Sequence, residues 1–258
     1  FQRVDLEGQP KVQAIADNVT EVERGTTIEK KEAKVNTIEH VMASLVSLKI
    51  DNCLIELNGQ EVPIMDGSSK PFVELLKAAG VKFLNEDRKV YKVKETIVYR
   101  DEARGVELMV VPDDSYSVTA MIDYNSPVLG AQHATLDKIE DFEDHIASSR
   151  TFCFLHELEL LLNHNLIKGG DLSNAIVVVD KVVSQDELDK LAVLFNREKV
   201  EVKTEGYLNN LELRHKNEPA RHKLLDVVGD LGLVGAPIQG KIIAKRPGHA
   251  ANVKFAKL

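Results

Sequence analysis

The clearest pattern in the chain is an apolar stripe interrupted at helical spacing. In the run Arg221-His222-Lys223-Leu224-Leu225-Asp226-Val227-Val228-Gly229-Asp230, the Leu and Val residues and the following Leu231 cover most of a helix surface. His222, Asp226 and Asp230 stand at i, i+4 and i+8 on its remaining face. A second apolar helix is predicted over 41–48, directly after Asn36-Thr37-Ile38-Glu39-His40. A third is predicted over 71–79, with Pro71 early and Gly80 as its cap. Strands are expected at Cys53–Leu57, Lys92–Tyr99, Val106–Val111, Tyr116–Ile122, Ala175–Val179 and Lys241–Ala244, and helix signals return at 138–148. The polar stretch Asn85–Lys89 reads as a linker, giving a first α+β domain over 1–88 and a second over 89–258. Each is expected to be a mostly antiparallel sheet carrying two helices, with the helices of the two domains facing each other across the interface.

The two regions repeat one another. After His40 come a helix, a polar turn at Asp51-Asn52, a strand, and a loop at Met65–Ser68 that opens another helix. After His222 come a helix, the turn Gly235–Pro237, a strand, and the loop Arg246–His249 that opens another helix. His40 stands as far before Gly67 as His222 stands before His249. A duplicated unit packed about a pseudo-twofold would bring the two imidazoles together beside Asp226. Two His and one carboxylate form a common catalytic zinc set whose fourth position is left for water. Taken alone, a His-x-x-x-Asp helix more often only hydrogen-bonds to its neighbours.

A series of motifs then carries a family resemblance. Thr37–His40, Ile64–Ser68, Ser149-Arg150-Thr151-Phe152, Lys168-Gly169-Gly170, Arg221–Asp230 and Gly248-His249-Ala250, in this order over nearly the whole chain, resemble the motif set of the UDP-3-O-acyl-N-acetylglucosamine deacetylases, zinc enzymes of lipid A synthesis in Gram-negative bacteria. The resemblance implies a two-domain sandwich with zinc in the cleft between its layers, and a βαβ insertion in the second domain at about 152–182. It also implies removal of the N-acetyl group from a UDP-3-O-(3-hydroxyacyl)-N-acetylglucosamine, with release of acetate. Two departures are expected to matter. The family's opening segment, with a His-Thr-Gly motif and a first strand, would precede Phe1, and the helical pattern at Phe255–Leu258 stops midway. Asn163–Lys168 resembles the forms fused to a 3-hydroxyacyl-carrier-protein dehydratase, a partner that would follow Leu258.

Composition narrows the alternatives. At 258 residues and 43% hydrophobic content the chain can fill two cores, and its net charge of −8, with no strongly basic stretch, argues against nucleic acid as a partner. No run is long and apolar enough to span a membrane, and the location is read as cytoplasm. Cys53 and Cys153 are far apart, without a CxxC, and are expected to be buried thiols in a reducing compartment.

Zinc on His40, His222 and Asp226 would polarise the amide carbonyl and acidify a bound water. Glu39 can reach that water if the backbone turns sharply there, and the family assigns the equivalent Glu as general base; a Glu at a helix start also simply complements the helix dipole. His249 is expected to act as general acid or to stabilise the oxyanion, against the alternative of a helix-start cap. Asp230 would hold His249 protonated, as in the family's equivalent pair. Thr151 can donate to the oxyanion or only satisfy backbone. Lys223 and Arg246 are candidate diphosphate contacts, or solvated charges. The resemblance puts Tyr124 where an aromatic stacks on uracil, and adds Phe152 and Gly170 as substrate contacts. Phe154, Leu155, Leu158, Leu161 and Leu162 form a helical stripe that reads as ordinary core, but by the resemblance lines an acyl-chain passage. Two other classes stay open: a catalytically silent sugar-nucleotide or acyl-chain binding protein of the same fold, and a structural-zinc interaction domain.

Overall fold

Alternation of apolar and polar residues builds the larger of the two β-layers. In the strand Tyr116–Asp123, Val118, Ala120 and Ile122 are buried on one face, and Leu108 and Val110 of Val106–Val111 and Ile242 and Ala244 of Ile238–Lys245 join the same core. The computed structural model describes residues 1–157, 174–194, 198–204 and 206–258. Its main sheet runs in the spatial order Ala131–Leu136, Tyr116–Asp123, Ile238–Lys245, Val106–Val111, Ile97–Asp101. Neighbours are antiparallel except for the central parallel pair Tyr116–Asp123 and Ile238–Lys245, and Tyr91–Lys92 adds in parallel to the start of Ile238–Lys245. The helices Glu218–Leu231 and His249–Ala256 cover the apolar face with Leu224, Leu225, Val227, Val228, Ala251 and Phe255.

A second core belongs to the N-terminal residues. The antiparallel strands Val19–Glu21, Thr27–Lys30 and Ala33–Val35 bury Ile28, Ala33 and Val35 against Ile38 and against Val41, Met42 and Leu45 of the helix Glu39–Ser47 that follows it. That helix lies on Glu218–Leu231. The polar groups Glu39, His40, His222, Asp226 and Asp230 of this helix pair are buried.

Several elements differ from their expected extents. Cys53–Leu57 yields only Glu56–Leu57, paired in parallel with Gln2–Arg3, because Cys53 and Leu54 lie on the surface; the Cys53 thiol is therefore exposed, not buried. Cys153 is half-buried, and burial pushes its thiol up to about 12. Lys92–Tyr99 is broken into Tyr91–Lys92 and Ile97–Asp101 where the polar Lys94-Glu95-Thr96 intervenes. Over 138–148 the chain forms a 3-10 turn, Ile139–Asp141, and a single helical turn, Phe142–His145, as Phe142, Ile146 and Ala147 are drawn wholly into the core. The helix Lys70–Ala79 ends as expected at Gly80, whose φ of 80° suits glycine. The linker around Asn85–Lys89 is exposed and is fastened by Arg88 to both oxygens of Asp51 at 2.8 and 2.7 Å. Phe152–Phe154 and Ile176–Val178 pair in parallel. Leu158, Leu161, Leu162 and Gly170 lie outside the described residues. Among the described residues no helix is long and apolar enough to cross a membrane.

Candidate metal centre

The site starts from one helix and its anchoring. Glu218, at the first position of Glu218–Leu231, is fully buried and accepts from Arg150 Nε at 2.9 Å, Arg150 Nη2 at 3.2 Å, and the backbone N–H groups of Arg150 and Arg214 at 3.0 and 2.6 Å. Burial opposes its charge, but these donors outweigh it and hold the carboxyl below its usual range. The anchor fixes the segment next to it: Ser149 O lies 3.0 Å from His222 Nδ1, which leaves Nε2 facing the site. Glu218→Ala would strand the buried Arg150 charge and should lower unfolding stability by about 3–5 kcal/mol, measured as a shifted denaturant midpoint.

A glycine then brings the second helix in. Gly229 is two turns beyond His222 on the same face, and a Cβ there would stand 2.1 Å from the Glu39 carbonyl oxygen. Only the bare backbone lets the start of Glu39–Ser47 settle there. The result is that the His40 and His222 rings meet edge to face, with centroids 5.1 Å apart.

His40, His222 and Asp226, all buried, each offer a ligand atom within 4.8 Å of the others. Asp226 Oδ1 lies 3.5 Å from His222 Nε2 and 3.9 Å from His40 Nε2, and among the described residues it has no hydrogen-bond partner. Burial, with the neighbouring imidazole, pushes His40 down to about 3, and burial also lowers His222, so both rings are neutral with free lone pairs. Burial works against the Asp226 charge, but Lys223, with the protonated His249, prevails and holds the carboxyl below its usual range. A buried carboxylate oxygen without a donor, facing two neutral imidazoles, fits a bound cation.

Two further titratable groups, Glu39 and His249, flank this cluster. Burial raises the Glu39 carboxyl to about 7; its Oε2 accepts from the Thr26 amide at 2.9 Å, and a Cβ on Gly25 would come 2.7 Å from Oε1. His249 opens the helix His249–Ala256, with Nδ1 2.9 Å from Asp230 Oδ2 and Nε2 3.9 Å from Asp226 Oδ2. Burial opposes its proton, but Asp230 and then Asp226 overcome that and raise it to about 9. Asn252 Nδ2 donates to the same Asp230 oxygen at 2.8 Å, and the Thr26 hydroxyl to the other at 2.5 Å.

The remaining expected contacts divide. Lys223 is not a free cation: Nζ donates to Asp226 Oδ2 at 2.6 Å and sits 5.6 Å from the centre of the Phe152 ring. Phe152 also meets the Tyr124 ring at 5.6 Å, and Tyr124 meets Phe154 at 5.8 Å, so an aromatic wall leads outward from the cluster. Arg246 turns to Asp123 Oδ2 at 2.9 Å and Asn125 Oδ1 at 3.2 Å, which leaves both proposed diphosphate cations already paired. The Thr151 amide donates to Gly67 O at 2.8 Å; Gly67 has a φ of 81°, and a Cβ there would overlap Asn174 O at 1.8 Å. Sequence reasoning missed Gly25, Thr26, Gly229, Asn252 and the Arg150–Glu218 anchor. A glycine inside an apolar helix was the one usable signal among them.

This α+β fold brings two buried imidazoles and a buried carboxylate close enough to hold one metal ion. The family profile described as UDP-3-O-acyl N-acetylglycosamine deacetylase matches residues 1–192 and 196–258, and the chain belongs to that family. It is 48% identical over its full length to the bifunctional enzyme LpxC/FabZ of Bacteroides thetaiotaomicron, and likewise 48% identical to that of Porphyromonas gingivalis. It spans 56% of the length of each of these relatives. It is 37% identical to the UDP-3-O-acyl-N-acetylglucosamine deacetylase of Geotalea uraniireducens, covering 99% of this chain and 75% of that one.

Proposed function

We propose that this chain is the zinc-dependent deacetylase part of a longer protein, which removes the N-acetyl group from UDP-3-O-(3-hydroxyacyl)-N-acetylglucosamine in the cytoplasm, at the committed step of lipid A synthesis. The observation that carries this reading is the buried convergence of His40, His222 and Asp226, with Asp226 Oδ1 otherwise unpartnered, between Glu39 and His249. A silent binding protein would have no use for a carboxyl poised near neutrality beside a histidine held protonated. The family match and the named deacetylase relatives support the substrate class. The bifunctional relatives, of which the chain spans 56%, support a fused dehydratase in the longer protein.

When bound, zinc would polarise the acetyl carbonyl and acidify the attacking water. Glu39, held by the Thr26 amide, would accept a proton from the attacking water. His249 gives its Nε2 proton to the departing amine, or offsets the charge on the carbonyl oxygen, while Asp230 orients it through Nδ1. Lys223 steadies Asp226 through the oxygen not aimed at the imidazoles. Tyr124 and Phe152 offer an aromatic face to the uracil or the sugar, Arg246 and the Thr151 hydroxyl remain proposed contacts to the diphosphate and the oxyanion, and residues 154–179, with Leu158, Leu161, Leu162 and Gly170, are proposed to select the acyl chain. We also propose the two-domain sandwich, with domains 1–88 and 89–258; the two separate apolar cores and the helix pair between them support it.

The test is acetate release from the acylated UDP-sugar by the full-length protein, across pH. Glu39 must be ionised, so activity should rise as pH passes its value of about 7; His249 must be protonated, so activity should fall as pH passes about 9. A cation at the cluster lowers both limits. His249→Ala should abolish the alkaline fall; its persistence would remove His249 from the acid role.

A further inference from the structure

Glu39 and the Asp230–His249 pair are supplied by different elements, and one residue, Thr26, touches both. Thr26 is fully buried immediately before the strand Thr27–Lys30. Its amide donates to Glu39 Oε2 at 2.9 Å and its carbonyl accepts from the Ile38 amide at 3.2 Å. Its hydroxyl donates to Asp230 Oδ1 at 2.5 Å, across 204 positions of sequence, and lies 3.4 Å from His249 Nδ1.

The residue type is constrained from both sides. Asp230 Oδ2 is taken by His249 and Asn252, so Oδ1 depends on the hydroxyl, and a buried carboxylate oxygen deprived of its donor is costly. On the other side, Gly25 has no Cβ to strike Glu39 Oε1, so the Gly25–Thr26 step fits around the Glu39 carboxylate. The Thr26 contacts end on Glu39, the proposed proton acceptor, and on Asp230, which orients the proposed proton donor His249, and so set the separation and direction of these carboxylates together.

We propose that Thr26 is a positioning residue, which through its amide and hydroxyl holds Glu39 and the Asp230–His249 pair in one fixed relation for the hydrolysis reaction. The proposal rests on the deacetylase reading above. In the full-length, zinc-loaded protein, Thr26→Val, which keeps the shape and removes the hydroxyl, should lower kcat about ten- to a hundredfold with KM and zinc content unchanged. Thr26→Ser should restore most of the loss. In an Asp230→Ala background Thr26→Val should add little, because its effect passes through Asp230. Two measurements do not depend on turnover. In metal-free protein, exchange of the Thr26 amide should accelerate in Thr26→Val but not in Thr26→Ser, with the amides of 28–30 unchanged. In the unmutated chain, the Thr26 hydroxyl proton should be visible by NMR as a slowly exchanging resonance, a result that does not require any variant to fold. Wild-type kcat in Thr26→Val, losses that add fully to those of Asp230→Ala, accelerated exchange along the whole strand, or no protected hydroxyl proton would each overturn the proposal. If the unmutated protein releases no acetate, the deacetylase reading fails, while the exchange and NMR results still decide whether the Thr26 contacts exist.

Discussion

Asp226→Ala should lose tightly bound zinc and turnover together, whereas Glu39→Ala should keep the zinc and still lose about 10²–10⁴ in kcat. The two carboxylates are equally buried but face different things. Asp226 Oδ1 points between two imidazoles held neutral by burial, with no hydrogen bond among the described residues, so its removal takes away a ligand and leaves two weaker donors. It also frees Lys223, whose charge is held up by Asp226 against burial, to repel a cation. Glu39 is held by the Thr26 amide and stands outside the three-residue cluster, so its loss removes a proton acceptor only. Elemental analysis after desalting, beside the rate of acetate release, separates the two. Equal zinc loss in both variants would mean that Glu39 belongs to the ligand set.

Gly229→Ala should damage the fold and the metal cluster together. Alanine favours a helix interior over glycine by about 1 kcal/mol, so propensity alone predicts a gain. The new Cβ, however, would stand 2.1 Å from the Glu39 carbonyl oxygen, 2.9 Å from its carbon and 3.2 Å from its Cα. These are backbone atoms, which cannot rotate away. The helices must separate, at an overpacking cost of about 1–3 kcal/mol or more, and because Glu39 and His40 ride on the displaced helix, zinc affinity should fall with stability. Gly232→Ala is the control. There the nearest atoms are the side-chain ends Val46 Cγ2 at 2.9 Å and Met42 Cε at 3.2 Å, which can yield, so the melting temperature and zinc content should change little. Comparable damage in both variants would show that the close approach at Gly229 does not organise the site.

The difference between these glycines shows where sequence reading stops. The i, i+4, i+8 face of 222–230 could be read from spacing, because helical periodicity is a local property carried into three dimensions almost unchanged, and the structure places the His40 ring beside that of His222. Thr26 could not be found that way. Its hydroxyl meets Asp230 across 204 positions of sequence, and nothing within a window around residue 26 encodes that meeting. Lys223 read as a solvated or phosphate-binding charge because its neighbour one turn along, Asp226, was already assigned to a metal; the carboxylate has a second oxygen, and the lysine takes it. Strand extents failed for a related reason: Cys53 and Leu54 suit a strand, but no partner strand reaches them and they remain exposed.

The central claim is tested most directly by a crystal structure of the zinc-loaded protein with anomalous scattering recorded at the zinc edge. The account predicts a single strong peak bonded to Nε2 of His40, Nε2 of His222 and Oδ1 of Asp226, at about 2.0–2.2 Å from each, with Glu39 and His249 beside it and unbonded. A peak held by Glu39 or His249 in place of any of the three, or no ordered metal between the two imidazoles, would contradict it.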